Sequence, residues 1–319
     1  MLFTDSILLG FFEIGNCSCI FEEIFNRTFL NVNGHIMTSK KIFYFPLTRI
    51  IIGILVVGCV VVAGQFGSQS LLEKIQIDKD YKDVITGVTI AVMAFASYVT
   101  LFRFYEKRQI AELKFTGFGK NAGIGFLSGF VLQSLVILII FIGGGYSIIR
   151  VNPVSFILPG FAIALSSAIF EEILFRGIIF RLTEEKLGST IAIIISALIF
   201  GLLHLPNKNS SIYSAVAIAI EAGVLLAASY IYSKNLWLPI FLHFAWNFAE
   251  AGIYGAVISG NMMTKSFFTS KFTGADILTG GTFGPENSIQ AVLLCLAVGI
   301  IFIRIARRQN KFVKPFWKK

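Results

Sequence analysis

Long stretches of the chain carry no charged residue, and they recur from residue 50 almost to the end. The runs without Asp, Glu, Lys or Arg are 50–72, 84–102, 122–149, 151–170, 187–207, 222–233, 235–249 and 287–303. A helix rises about 1.5 Å per residue, so runs near this length cross the roughly 30 Å hydrocarbon core of a bilayer. Because lipid offers the backbone no hydrogen-bonding partner, each run must bond internally. The pattern therefore predicts an all-α, polytopic transmembrane helix bundle.

The runs translate into about eight membrane spans. We place them at 46–66, 84–102, 122–142, 154–180, 188–206, 212–232, 236–257 and 288–305. Composition agrees, because 55% of the residues are hydrophobic, 14% are charged and the mean hydropathy is +0.78. Lys and Arg concentrate on the cytoplasmic side of membrane proteins, and alternate loops carry 18 of them on one side against 7 on the other. We therefore predict an integral membrane protein with both termini in the cytoplasm.

The net charge of +9 fits this topology and predicts attraction to anionic lipid headgroups. The lipid bilayer is thus an expected partner, and nucleic acid is not, because the pattern leaves no soluble domain to display a basic patch. Cys59 and Cys295 fall within predicted spans, and Cys17 and Cys19 form a Cys-x-Cys pair without further ligands. These cysteines predict no disulfide framework.

The chain divides into four parts. Residues 1–36 mix apolar and acidic positions, and we hypothesise that they are an extension ahead of a natural start at Met37, which precedes Lys40 and Lys41. Residues 37–153 form the N-terminal transmembrane helices, where Gly125 and Gly129 make a small-xxx-small helix-packing pair. Residues 154–290 carry the candidate chemistry, and residues 291–319 form the last span and a basic cytoplasmic tail.

Ionisable side chains are costly inside a membrane, so those within predicted spans are functional candidates by default. The set is Glu171, Glu172, Arg176, His204, Glu221, His243 and Glu250. Two of the three histidines in the chain belong to it. This concentration carries more weight than any single residue.

Glu172 and Arg176 are four residues apart, so they share a helix face and can form a compensated ion pair. Glu171 is rotated by about 100° around the helix and can face a different space as a general base. The alternative is that both glutamates simply end a helix at the membrane interface.

Two further motifs place polar groups on single helix faces: Phe200-x-x-x-His204 and His243-x-x-x-Asn247. Each alone is equally consistent with packing or with a satisfied polar group. Straight helices would place His204 about 10 Å closer to the outer face than Glu171. A helix that tilts or ends early near Pro206 would close that gap.

Together, the motifs supply what peptide-bond hydrolysis needs. Glu171 would take a proton from water and pass it to the leaving nitrogen, with His204 positioning the water. His243 and Asn247 would donate hydrogen bonds to the developing oxyanion. A Glu171–His204–His243 set also has the ligand count of a catalytic zinc site, but the His-Glu-x-x-His helix motif is absent. No cofactor is needed for the glutamate–water route, and zinc remains the alternative.

The three motifs, in this order, resemble those of the CPBP (Abi) family of intramembrane proteases, which includes the type II CAAX prenyl endopeptidases. The flanking residues resemble the family as well, as does the later segment 280–286, Gly-Gly-Thr-Phe-Gly-Pro-Glu. The resemblance covers about 160–290. It implies a bacterial membrane endopeptidase with Glu171, His204, His243 and Asn247 at its site, supported by Glu172, Arg176 and Phe200.

On the same resemblance, the expected substrate is a membrane-associated protein, prenylated in some members, or a small peptide. Members are often labelled metalloproteases, and some are associated with bacteriocin immunity. Two other functions stay open at this point. One is a non-catalytic immunity or regulatory protein on the same fold, and the other is a transporter that uses the acids as a proton relay.

Overall fold

The computed structural model describes residues 42–318, which are mostly helical. The α-helices are α1 Pro46–Glu73, α2 Lys79–Tyr105, α3 Phe118–Ile142, α4 Leu158–Glu172, α5 Arg181–Leu202, α6 Ile212–Ile218, α7 Leu225–Ser233, α8 Trp237–Asn247, α9 Asp276–Thr279 and α10 Ile289–Arg308. The proposed extension 1–36, the start at Met37 and the Cys17–Cys19 pair lie outside the described residues.

Within residues 42–318, six helices are long and apolar enough to cross a bilayer. One of them, Val154–Leu202, is 49 residues long, which at about 1.5 Å per residue is more than twice the thickness of the hydrocarbon core. It breaks at Gly188, where φ is 78° and ψ is 167°, so it supplies helices for both predicted spans 154–180 and 188–206. In the predicted span 236–257, α8 and the π-helical segment that follows it together reach from residue 237 to residue 253. A multi-pass helical membrane protein is thus confirmed, while the side on which the termini lie stays a prediction.

Three π-helical segments interrupt the α-helices, and the 3.6-residue periodicity did not predict them. They are π1 Ile173–Phe180, π2 Ala219–Val224 and π3 Phe248–Ile253. Each lies at an intramembrane acid: π1 directly follows Glu172, and the other two contain Glu221 and Glu250. Such segments are uncommon and are frequent at functional sites.

A small antiparallel sheet joins two connecting segments, although the sequence predicted only helices and loops. It consists of β1 Tyr146–Val151 and β2 Phe268–Phe272. Tyr146 pairs with Phe272 and Val151 with Phe268, with an irregularity between Ile148 and Arg150. The sheet ties the segment between π3 and α9 to the end of α3.

Small residues allow the helices that carry the motifs to approach closely. A Cβ atom added at Gly129 on α3 would lie 2.1 Å from the carbonyl oxygen of Leu242 on α8. One added at Gly160 on α4 would lie 2.4 Å from Cα of Gly252 in π3. The predicted small-residue pair on α3 therefore packs against α8, and this contact fixes the position of the helix that bears His243.

An ion network closes the end of the bundle that is predicted to be cytoplasmic. Glu106, just after α2, pairs with Arg49 at 2.6 Å and with Arg181 at 3.1 Å. Glu112 pairs with Arg108 at 2.6 Å. Burial by itself would raise the pKa of Glu112, but the hydrogen bond and charge of Arg108 lower it below the ordinary value of 4.5. The network thus links the loop after α2 to α1 and α5.

Candidate active site

The four side chains predicted to act together line one cavity inside the bundle: Glu171, His204, His243 and Asn247. They come from the end of α4, the turn after α5 and α8, and all four are buried. The cavity has a volume of about 30 Å³, which is room for one or two water molecules. Residues from all three sequence motifs therefore line the same cavity.

His204 reaches this space because α5 ends early. The helix stops at Leu202, and the chain then turns, with His204 N–H bonded to the Gly201 carbonyl and Asn207 N–H to the His204 carbonyl, each at 3.1 Å. Together with the break at Gly188, this turn removes the 10 Å offset that straight helices would have produced.

Phe200 sets the orientation of His204. The Nδ1 atom of His204 lies 2.7 Å from the Phe200 carbonyl oxygen. Since a carbonyl only accepts, Nδ1 carries the proton, and in the neutral ring Nε2 is the acceptor. The Phe200 ring lies between the two imidazoles, with ring centroids 4.8 Å from His204 and 6.3 Å from His243.

Glu172 makes two contacts through one oxygen. Its Oε1 accepts a hydrogen bond of 2.7 Å from Arg176 Nη1, so the expected ion pair is formed. The same Oε1 lies 3.0 Å from Nδ1 of His243, which leaves Nε2 of that ring 4.0 Å from Oε2 of Glu171. The sequence did not reveal this second contact, because the two residues are 71 positions apart. Glu172 is thereby placed to hold the ring of His243 as well as to neutralise Arg176.

Asn247 is oriented by a residue that sequence reasoning missed. Its Nδ2 donates a 3.1 Å hydrogen bond to Ser167 Oγ. Ser167 precedes Glu171 by four residues on α4, so helical spacing offered a signal that was available in the sequence. The Asn247 side chain itself lines the cavity.

Further residues of the cavity lie outside the three motifs. Glu221 from π2, Ser259 and Glu286 also line it. The only sequence signal for Glu286 was its place at the end of the glycine-rich segment 280–286. Glu250 does not line the cavity: its Oε1 lies 3.7 Å from where a Cβ of Gly284 would be. Apolar side chains complete the wall: Phe200, Ile218, Ala222, Leu225, Leu226, Leu242 and Trp246.

Several polar atoms at the cavity have no protein partner. Both carboxyl oxygens of Glu171, Oε1 of Glu286 and Nε1 of Trp246 are buried without a hydrogen bond. Buried polar groups are nearly always satisfied, so such a concentration points to an occupant of the cavity. Water or a polar part of a substrate would supply the absent partners.

The side chains that could bind a zinc ion at this cavity are Glu171, His204 and His243. In the part of the chain that the structure describes, no group of three or more His, Cys, Asp or Glu side chains is arranged to hold a metal ion. Nδ1 of His204 contacts the Phe200 carbonyl and Nδ1 of His243 contacts Glu172. Histidines that bind a metal through one ring nitrogen usually bond a carbonyl or carboxylate through the other, so zinc stays the alternative to the glutamate–water route.

Comparisons with known proteins point to one family for this part of the chain. Residues 153–249 match the family described as Type II CAAX prenyl endopeptidase Rce1-like. A relative from Bacillus subtilis (strain 168), named Putative membrane peptidase YdiL, is 32% identical over 115 residues, which is 36% of this chain and 42% of that protein. The match therefore spans less than half of that relative. No solved structure matches the chain. The resemblance predicted from the three motifs is confirmed, and all four candidate residues lie within the matched segment.

Proposed function

Because residues 153–249 resemble the type II CAAX prenyl endopeptidases, we propose that this protein is an intramembrane endopeptidase in which Glu171 activates a water molecule. One observation carries the proposal: a carboxylate, two imidazoles and a carboxamide from separate helices face the same small, buried cavity. The family match supports the reaction class, and the cavity supports the assignment of roles.

Water activation falls to Glu171 and His204. Neither oxygen of Glu171 has a protein partner, so this carboxylate is available to accept a proton from water. Nδ1 of His204 is held by the Phe200 carbonyl, which fixes the ring in the same cavity as Glu171, where it can position the water. Glu171 takes a proton from the water as the water oxygen attacks the peptide carbonyl carbon. It then gives that proton to the amide nitrogen as the C–N bond breaks.

Stabilisation of the oxyanion falls to His243 and Asn247. Their donors are held in advance, His243 by Glu172 at 3.0 Å and Asn247 by Ser167 at 3.1 Å. Nε2 of His243 lies on the side of the ring that faces Glu171, 4.0 Å from its Oε2, and would donate to the oxyanion from there. Donors fixed in a water-poor site need no reorganisation during the reaction, so they contribute most there.

The family match and the apolar half of the lining support a substrate class. Seven of the fourteen lining residues are apolar, which favours a membrane-associated protein or peptide, including one that carries a prenyl chain. The water-accessible volume of about 30 Å³ has room for one or two water molecules, and the scissile bond has to reach this water for attack.

The experiment compares purified wild type, Glu171→Gln and Glu250→Gln in liposomes that contain a farnesylated reporter peptide. Glu250 is a matched control, since it is equally buried but does not line the cavity. We expect Glu171→Gln to lower turnover by about 10²- to 10⁴-fold and Glu250→Gln to stay near wild type. Equal turnover by wild type and Glu171→Gln would remove Glu171 from the mechanism, and a parallel arm with chelator tests the glutamate–water route against a metal-dependent one.

A further inference from the structure

The glycine-rich segment 280–286 and the next residue, Asn287, pack against the bundle beside the cavity. Gly284 has a φ of 128°, and a Cβ atom there would lie 2.2 Å from the carbonyl oxygen of Val257. Phe283, which is 2% exposed, accepts a 2.7 Å hydrogen bond from the N–H of Gly260 through its carbonyl oxygen. Only glycine fits at position 284, since a side chain would meet both steric overlap and an unfavourable backbone conformation. The segment therefore has a fixed path, and that path ends at Glu286.

The side chain of Glu286 lies at the cavity that Glu171 and His204 also line. It lines this cavity and is 2% exposed. Ser259 lies within hydrogen-bonding reach of its carboxyl group, whereas Oε1 has no partner. One side of the carboxyl group is thus anchored to the protein, and the other is left to meet whatever occupies the cavity.

A second side chain independently points to an occupant. Trp246 lines the same cavity, is 5% exposed, and its Nε1–H finds no acceptor. A buried indole N–H normally has a partner. The indole N–H is a donor, and a carboxyl oxygen is a donor as well when it carries a proton, so the two groups match a ligand with hydrogen-bond acceptors, such as the carbonyl oxygens of a peptide.

We propose that Glu286 is an additional active-site residue, a neutral carboxylic acid that donates a hydrogen bond to the peptide substrate in the cavity shared with Glu171. The inference rests on the proposed function, because the peptide is the ligand it names. It assigns a role to a residue that lies outside the three motifs and 43 positions after His243 in the sequence.

The charges around Glu286 favour the protonated form of its carboxyl group. Glu171 and Glu221 line the same cavity, Glu250 interacts electrostatically with Glu286, and like charges in a water-poor space disfavour a further anion. The guanidinium of Arg176 is engaged by Glu172 and by the carbonyls of Ala222 and Gly223. Burial raises the pKa of Glu286 to about 7, although Ser259 and the charge of His243 oppose the rise. A protonated acid at this place offers the substrate a donor without adding charge beside the catalytic base.

The test uses three substitutions of Glu286 and one neighbour in the full-length protein. Glu286→Gln keeps a donor of the same shape, Glu286→Leu keeps the volume without hydrogen bonding, and Glu286→Asp withdraws the group. Asn287→Ala is the matched control, because Asn287 lies in the same segment and contacts the Gly280 carbonyl rather than the cavity. Turnover of the farnesylated peptide is measured with the melting temperature of each variant, and binding of the same peptide is measured in a Glu171→Gln background.

We expect Glu286→Leu and Glu286→Asp to lower kcat/KM by about 10- to 100-fold, since a substrate group is then left without its partner. Glu286→Gln should remain within about threefold of wild type, and Asn287→Ala should change the melting temperature but not kcat/KM. Peptide binding in the Glu171→Gln background should weaken with Leu and be retained with Gln.

Each contrary result has its own meaning. If Glu286→Gln is as inactive as Glu286→Leu, the neutral-donor role is wrong. If Glu286→Leu turns over and binds peptide like wild type in an enzyme that depends on Glu171, Glu286 does not contact the substrate. If wild type and Glu171→Gln are equally active, the proposed function itself fails, and the Glu286 proposal fails with it.

Discussion

Glu171 and Glu172 are adjacent and chemically identical, yet the structure gives them opposite surroundings. Oε1 of Glu172 accepts from Arg176 at 2.7 Å and contacts His243 at 3.0 Å. Neither oxygen of Glu171 has a partner. Glu171→Gln and Glu172→Gln are therefore a matched pair of isosteric changes. We expect the first to remove turnover without loss of stability, and the second to lower the free energy of unfolding.

The size of the second effect follows from burial. Glu172 and Arg176 are both 0% exposed, and removing one partner of a buried ion pair costs about 3–5 kcal/mol. Arg176 would keep its bonds to the carbonyls of Ala222 and Gly223, which places the expected loss near the lower end, at about 3 kcal/mol. This loss corresponds to a fall in melting temperature of roughly 5 °C for a chain of this length. Glu171→Gln removes no hydrogen bond, so its melting temperature should stay within roughly 2 °C of wild type.

Thermal unfolding of both variants in the same detergent, followed by circular dichroism, measures the difference. Turnover is then compared at a temperature at which wild type and both variants are folded. Equal melting temperatures for the two variants, or a larger fall for Glu171→Gln, would refute the division of roles between the adjacent glutamates.

Three further predictions follow from particular contacts. Asn247→Ala should lower kcat about 10²- to 10³-fold with little change in KM, as the loss of one oxyanion donor does, and steady-state kinetics would contradict this if KM alone changed. Gly129→Ala should lower the melting temperature because its Cβ would overlap the α8 backbone, whereas Gly123→Ala, which meets nothing within 4 Å, should not; equal effects would reject close α3–α8 packing. The pKa of Glu112 is lowered from 4.5 because Arg108 outweighs burial, so its stabilisation is present above that value and is lost as pH falls below it. Glu112→Gln should therefore flatten the acid limb of the melting-temperature profile, and an unchanged limb would exclude Glu112 as its source.

Much of the fold could be read from local sequence. Long apolar runs must form helices in lipid, and each predicted span overlaps helical residues of the described chain, although the spans 212–232 and 236–257 consist of α- and π-helical pieces. The pairing of Glu172 with Arg176 follows from their spacing. The small-residue pair Gly125 and Gly129 also predicted close packing on α3. These features depend on residues that are near one another in the chain.

The remaining features depend on contacts between distant segments or on departures from regular helix geometry. The contact of Glu172 with His243 and the arrival of Glu286 in the cavity join segments that no local pattern relates. The segment π1 and the break at Gly188 change the helical phase, and a straight-helix reading therefore misplaced His204 in depth. Ser167 is a different case, since its spacing from Glu171 was visible and its role was overlooked.

The central claim is that water in this cavity, activated by Glu171, attacks a peptide carbonyl. The most direct measurement is mass spectrometry of the cleavage product formed in ¹⁸O-labelled water from a membrane-embedded reporter peptide. The account predicts one solvent oxygen in the new carboxyl group with wild type and no such product with Glu171→Gln. The same labelled product, formed at the same rate by Glu171→Gln, would contradict it.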